Sequence, residues 1–203
     1  MVAHRSGMLT RQDGYSLIDL LMVVALIGIL SGIAIPISDT SLRANRLKGD
    51  ADTVRNLVGL AKMRASSRFT RARVFVDMAA NSSVLQVWDK TAGAWVNDGA
   101  PVPTSTGVTF GFGTLGAAPP NTQLAIAMSP PCTTGLTAAG AIANSSCITF
   151  NSRGLPVDAA GLLYARHAFY MRNEIGVFAT TVTSTPLIRF WSSPNGTANW
   201  TPR

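Results

Sequence analysis

The sequence predicts an α+β protein in which a long N-terminal hydrophobic helix packs on an antiparallel β-sheet globular domain. Three observations carry that expectation. Residues 17–37, LIDLLMVVALIGILSGIAIPI, hold a single charge, Asp19. Beyond them Leu47, Ala51, Val54, Leu57, Val58, Ala61 and Ala65 recur at three- and four-residue steps, which is one face of a helix. From Arg73 the hydrophobic period falls to two, the period of strands.

Composition narrows the class. The chain has 203 residues, enough for one domain with accessory segments and a real core. Charged residues make up 13% and hydrophobic residues 47%, whereas roughly a quarter of an ordinary soluble domain is charged. A disordered charged tail or a solvating linker is excluded. The formal net charge is +7, and nearly all of it falls in residues 43–73, where nine Lys and Arg face only Asp50 and Asp52. Such a balance suits nucleic acid or an anionic membrane as a partner, and it also reads simply as a solvated helix face.

Residues 1–14, MVAHRSGMLTRQDG, are polar and carry Arg5 and Arg11. The apolar run that follows, at ~1.5 Å per helical residue, covers about 30 Å, the hydrocarbon thickness of a bilayer. It reads as a cleaved secretory signal, a plain membrane anchor, or an anchor that later enters an assembly. Asp19 argues against the first, because a carboxylate in such a run costs about 2.5–3.5 kcal/mol on insertion scales. No other group in the run neutralises it, so its partner must come from outside. Pro36 removes a backbone donor and is expected to kink or loosen the helix, with Gly28 and Gly32 as further weak points. The helix is expected from about residue 16 to about residue 69, its first half membrane-embedded and its second packed on the globular domain.

Strands are expected at Arg73–Asp77, Val84–Trp88, Gly107–Gly113, from Ile148 to Phe150, and at Ala168–Met171, Gly176–Val182 and Leu187–Trp191. Asn81-Ser82-Ser83 and Asn151–Pro156 read as turns. Residues 101–106, 117–121 and 135–143 read as loops. Cys132 and Cys147 have fourteen residues between them. In a protein sent out of the cytoplasm they read as one disulfide, worth about 3 kcal/mol in chain entropy, with two free thiols as the alternative. A metal site is not expected, since no third soft ligand lies nearby.

Catalytic chemistry is not expected. The sequence contains no nucleophile elbow, Walker loop, dinucleotide fingerprint or metal-ligand cluster. His167 with Asp158 is the one acid–base pair that can be imagined, and nothing in the sequence sets its geometry. Asn81, Asn144, Asn195 and Asn199 each begin an Asn-x-Ser/Thr sequon, frequent by chance in a chain this rich in Ser and Thr.

Gly14-Tyr15-Ser16-Leu17-Ile18-Asp19-Leu20, followed by the apolar run, resembles the class III signal of type IV pilins and type II secretion pseudopilins. The resemblance implies that a prepilin peptidase cuts between Gly14 and Tyr15 and methylates the new N-terminus. It also implies that Asp19, the fifth mature residue, pairs with the N-terminal amine of a neighbouring subunit. Met8 is an alternative start to Met1, since MLTRQDG alone makes a leader of typical length. Tyr15 stands where the family usually has Phe, and Asp19 where it has Glu, one methylene longer. The weaker pairing suits a minor subunit.

The stretch from Val54 to Arg71, the ITFNSRGLP segment from Ile148 to Pro156 and the last pair of strands resemble GspH/FimT-type pseudopilins. The implied organisation is a prepilin leader over 1–14, a transmembrane and assembly half of the N-terminal helix over 15–41, and a periplasmic globular domain over 42–203. The implied function is that of a minor pseudopilin, a structural subunit of a type II secretion pseudopilus or type IV pilus-like filament. It would sit in the bacterial inner membrane as a single-pass protein before incorporation, without cofactor or metal. Its partners would be other pilin or pseudopilin subunits, the prepilin peptidase and the inner membrane. The alternative is a FimT-like minor pilin that binds DNA for natural transformation. Members of that kind carry a C-terminal Gly-Arg-x-Arg pattern, and Pro186-Leu187-Ile188-Arg189 keeps only the last arginine. Arg203, close to Trp191 and Trp200, supplies a second basic residue among C-terminal aromatics.

Overall fold

A computed structural model describes residues 16–203, with the side chains of residues 32–38 outside the described set. Gly14 and Tyr15, the implied processing site, lie outside the described residues. The chain divides into two units, Met1–Thr40 and Ser41–Arg203.

One helix, α1, runs from Leu17 to Ser67. Ser16 starts it as an N-cap: its Oγ accepts the Ile18 N–H at 3.3 Å and its carbonyl accepts the N–H groups of Asp19 and Leu20. Asp19 falls in the first turn, where the helix dipole favours a negative charge. The helix assignment continues through Pro36. At the far end Phe69 takes a φ of 50°, the left-handed conformation that glycine usually supplies, and the Thr70 N–H bonds back to the Ala65 carbonyl at 3.2 Å.

In the first unit every large apolar side chain from Leu17 to Leu30 is more than half exposed. The expected fold class and location need correction. Among the described residues no helix is long and apolar enough to cross a membrane. The expectations of a transmembrane helix over 15–41 and of a single-pass inner-membrane protein therefore do not stand. The expected single sheet under a hydrophobic helix is replaced by a sheet-rich unit with two sheets.

The strands of the second unit are β1 (Ala72–Asp77), β2 (Ser82–Asp89), β3 (Ala94–Asn97), β4 (Val102–Pro103), β5 (Thr109–Phe110), β6 (Ser145–Phe150), β7 (Pro156–Val157), β8 (His167–Arg172), β9 (Gly176–Val182), β10 (Ile188–Pro194) and β11 (Thr201–Pro202). The first sheet has the order β3-β2-β1-β6-β7, with β4 also on β2; the second has the order β11-β10-β9-β8-β5. Every pairing is antiparallel. The turn into β2 closes earlier than Asn81-Ser82-Ser83, because Asp77 Oδ1 accepts the N–H groups of Ala79 and Ala80. The strand expected over Gly107–Gly113 shrinks to Thr109–Phe110, since Gly107, Gly111 and Gly113 all take positive φ.

The core forms where the α1 stripe Leu47, Ala51, Val54, Val58, Ala61 and Ala65 meets Val74 and Val76 of β1, Ile148 and Phe150 of β6, and Phe169 and Met171 of β8. Strand alternation sends Ala168 and Tyr170 to the other face of the second sheet, where Leu115, Val177, Ala179 and Trp191 complete a smaller cluster. The second sheet is thus buried on both faces. The helix presents alanine and valine to the sheets, and small side chains let it approach closely.

Candidate functional site

A groove of about 940 Å³ opens between α1 and the second sheet. Helical spacing makes one wall. Lys48, Asp52 and Arg55 lie three and four residues apart, flanking the buried stripe. Strand register makes the floor: Phe178 lies opposite Ser192 and Phe190 opposite Thr180 in the β9–β10 pair, so the two rings are diagonal neighbours. They stack with centroids 5.2 Å apart and planes 25° apart. The Arg55 guanidinium sits 5.3 Å from the Phe190 ring centroid. Arg203 closes the third side, its N–H on the Phe190 carbonyl at 2.9 Å and its Nε on Ser192 Oγ at 2.8 Å.

One end of the groove is held by the β8–β9 turn. Arg43 pairs with Glu174, and Asn173 Nδ2 donates to the Arg43 carbonyl at 2.9 Å. At the other end a hollow of about 530 Å³ continues along Arg55, Gly59 and Met63 to Ile188. Three cations, Lys48, Arg55 and Arg203, line the groove against one acid, Asp52. The arrangement can hold an anionic, partly apolar ligand.

The arginines singled out in the sequence do not meet. Arg189 is exposed on β10 and alternates with Phe190, which puts it on the sheet face of Trp191. Arg203 reaches Ser192, on the opposite face. Asp19 stands exposed in the first turn of α1. Cys132 and Cys147 form a disulfide. It ties a loop to β6, where the Cys132 N–H bonds Ser145 Oγ and the Cys147 N–H bonds the Pro130 carbonyl.

His167 is buried, with Nδ1 3.2 Å from Ser129 Oγ and Nε2 3.3 Å from the Val157 carbonyl. The carbonyl requires Nε2 to carry the proton, so Nδ1 accepts from the serine. Burial pushes the His167 pKa down to about 4, with the Val157 carbonyl and the charge of Asp158 opposing the shift. Asp158 Oδ1 accepts the Leu162 N–H, which shapes a turn. The two residues share no hydrogen bond, so the imagined acid–base pair is not assembled. Nor do the described residues hold any group of three or more His, Cys, Asp or Glu suited to a metal ion.

Arg73 is a buried cation, 3% exposed. Its Nε donates to Gln86 Oε1 at 2.8 Å and its Nη1 to the Thr133 carbonyl at 2.7 Å, while the guanidinium lies 4.0 Å from the Trp95 ring centroid. Burial lowers its pKa to about 9, so it stays charged at neutral pH. Sequence reasoning missed both this site and the groove. Lys48 and Arg55 stood out only as part of a basic run, and no signal joins Phe178 to Phe190 before the register is known.

Comparison with family models, with curated proteins and with solved structures found no match to the chain.

Proposed function

We propose that the chain is a minor pseudopilin, a structural subunit of a type II secretion pseudopilus or type IV pilus-like filament, assembling through the first half of α1. The observation that carries this reading is the uncovered apolar surface of Leu17–Leu30. A helix that is hydrophobic on all sides is stable only when something covers it. Parallel helices of sibling subunits provide such a cover. The pilin-like signal around Gly14 and Tyr15 supports the reading, with a prepilin peptidase as the processing partner. Asp19 then pairs with the N-terminal amine of a neighbour, beyond its role in the first turn of its own helix.

The DNA-binding alternative has less support, because Arg189 and Arg203 lie on opposite faces of one sheet. A cationic pair that tracks one phosphate backbone needs a common face.

Site-specific photocrosslinking tests the proposal. A photoreactive residue at Leu26, in cells carrying the full chain, should capture the helix of another pilin-like subunit. Asp19→Ala should reduce that product strongly while leaving the melting temperature of the globular unit unchanged. Absence of any protein crosslink from Leu26 in a folded chain overturns the assembly reading. Normal crosslinking in Asp19→Ala removes the ion pair alone.

A further inference from the structure

We propose that the groove between α1 and β10 binds an extended, acidic segment of a partner protein as an added strand. The inference stands on the second unit alone and does not depend on assembly through Leu17–Leu30.

The first ground is an incomplete sheet edge. The outer side of β10 is paired with β11 only at Trp191 and Ser192. The Phe190 carbonyl faces that side, since it accepts the Arg203 N–H at 2.9 Å. In an antiparallel strand the N–H and C=O of one residue point the same way and recur every second residue. Ile188 therefore directs its backbone groups outward too, at a position no strand of the sheet covers. The free backbone groups of Ile188 are a short template for strand addition at that end of the groove.

The second ground is space beside that edge. The groove of about 940 Å³ and the hollow of about 530 Å³ meet at Arg55 and run along α1 from Asn45 to Met63, with Ile188 on the opposite wall. Those nineteen positions span about 27 Å of helix axis, which matches about eight residues of extended chain.

The third ground is charge. Lys48 and Arg55 on α1, and Arg203 on the sheet side, line the groove against Asp52. A strand added to β10 alternates its side chains between the two faces, so every second residue faces α1. An acidic residue beside Ile188 meets Arg55, and one further along the segment, past its pairing with β10, meets Lys48. Single-stranded nucleic acid fits less well. Its bases need open ring faces, whereas Phe178 and Phe190 stack on each other, Phe190 is 4% exposed, and Arg55 lies over it.

The test uses the full chain in detergent micelles, panned against a random octapeptide phage library. Selected sequences should carry Asp or Glu at alternate positions. A selected peptide, labelled with fluorescein, should bind by anisotropy and lose affinity at least tenfold against the double variant Lys48→Glu/Arg55→Glu. Arg153→Glu, an exposed charge in the turn after β6, should leave binding unchanged. N-methylation of alternate peptide amides should abolish binding in one register and spare it in the other, a readout that does not depend on how the double variant folds. The proposal is overturned if selection shows no acidic preference, if both methylation registers bind equally, or if a folded double variant binds like the parent. It is also overturned if a single-stranded oligonucleotide displaces the peptide and binds more tightly than it does.

Discussion

The two halves of α1 are built to opposite rules. From Leu47 to Ala65 one stripe of small and branched residues is buried against two sheets, and the charges sit beside it. From Leu17 to Leu30 large aliphatic residues occupy every side, and each is exposed. Helix geometry is common to both, so the difference lies in what the side chains are given to pack against. The second half owes its stability to the fold of its own chain. The first half has apolar surface of about the kind that tertiary packing normally removes from water, and among the described residues of its own unit nothing removes it.

The largest test of that contrast places the same charge in each half. Val58 is fully buried and Val24 is 59% exposed. Val58→Asp puts a carboxylate without a partner into the core and should destabilise the globular unit by at least about 4 kcal/mol, enough to unfold it in thermal melts. Val24→Asp should leave that melt unchanged and reduce association of the full chain instead, measured by sedimentation. A lower melting temperature in Val24→Asp would show that the first half is already supported within the chain.

Acid should separate the halves as well. The folded His167 pKa of about 4 lies below the 6.5 of a free imidazole. Between those values the unfolded chain binds a proton that the native chain does not. The His167 contribution is therefore fully present above about pH 6.5 and is lost as the pH falls to about 4. The loss is on the order of 3 kcal/mol. Hydrogen exchange should accelerate in Leu47–Ala65 over that range, after correction for intrinsic rates, while Leu17–Leu30 shows no matching change. His167→Gln should flatten the dependence. An unchanged slope in that variant would assign the effect to the carboxylates.

Much of this architecture can be read from spacing, and the failures share a cause. The α1 stripe and strands β1, β2, β8, β9 and β10 announce themselves through periodic apolar residues. β4, β7 and β11 have two residues each and exist because a neighbour pairs with them, which no local pattern records. Periodicity says that Phe169 and Tyr170 face opposite ways; it does not say that each face has its own cover. The membrane expectation came from the apolar run 17–37, and among the described residues no helix is long and apolar enough to cross a membrane. The groove was illegible because its floor depends on register, which brings together Phe178 and Phe190 from two strands. Arg189 stood out through a family pattern and Arg203 as a basic residue among C-terminal aromatics, and alternation along β10 puts them on opposite faces.

A smaller effect sharpens the boundary of the supported half. Gly154 has a φ of +72°, and a Cβ there would lie 2.9 Å from Ser66 Oγ, in the last turn of α1. The turn is set by Asn151, whose side chain accepts the N–H groups of Arg153 and Leu155. Gly154→Ala combines an unfavourable backbone conformation with this close contact and should cost about 1–2 kcal/mol in denaturant melts. Exchange should quicken at Lys62–Ser66 and nowhere near Leu17. A neutral result would mean that the turn shifts away from the helix without loss.

The smallest predicted change acts at the opposite end. Ser16 caps α1 through its Oγ, and the large apolar side chains from Leu17 to Leu30 that follow are exposed. Ser16→Ala should therefore cost about 1 kcal/mol of local helix stability, read as faster exchange through the first turns, with the melt of the globular unit unmoved. In the buried half a loss of that size would be shared with the sheets and would appear in the global melt. If Ser16→Ala lowers the global melting temperature, the two halves of α1 unfold as one cooperative element. The exposed apolar surface would then be held in helical form by the rest of the chain, ready for a neighbour before one arrives.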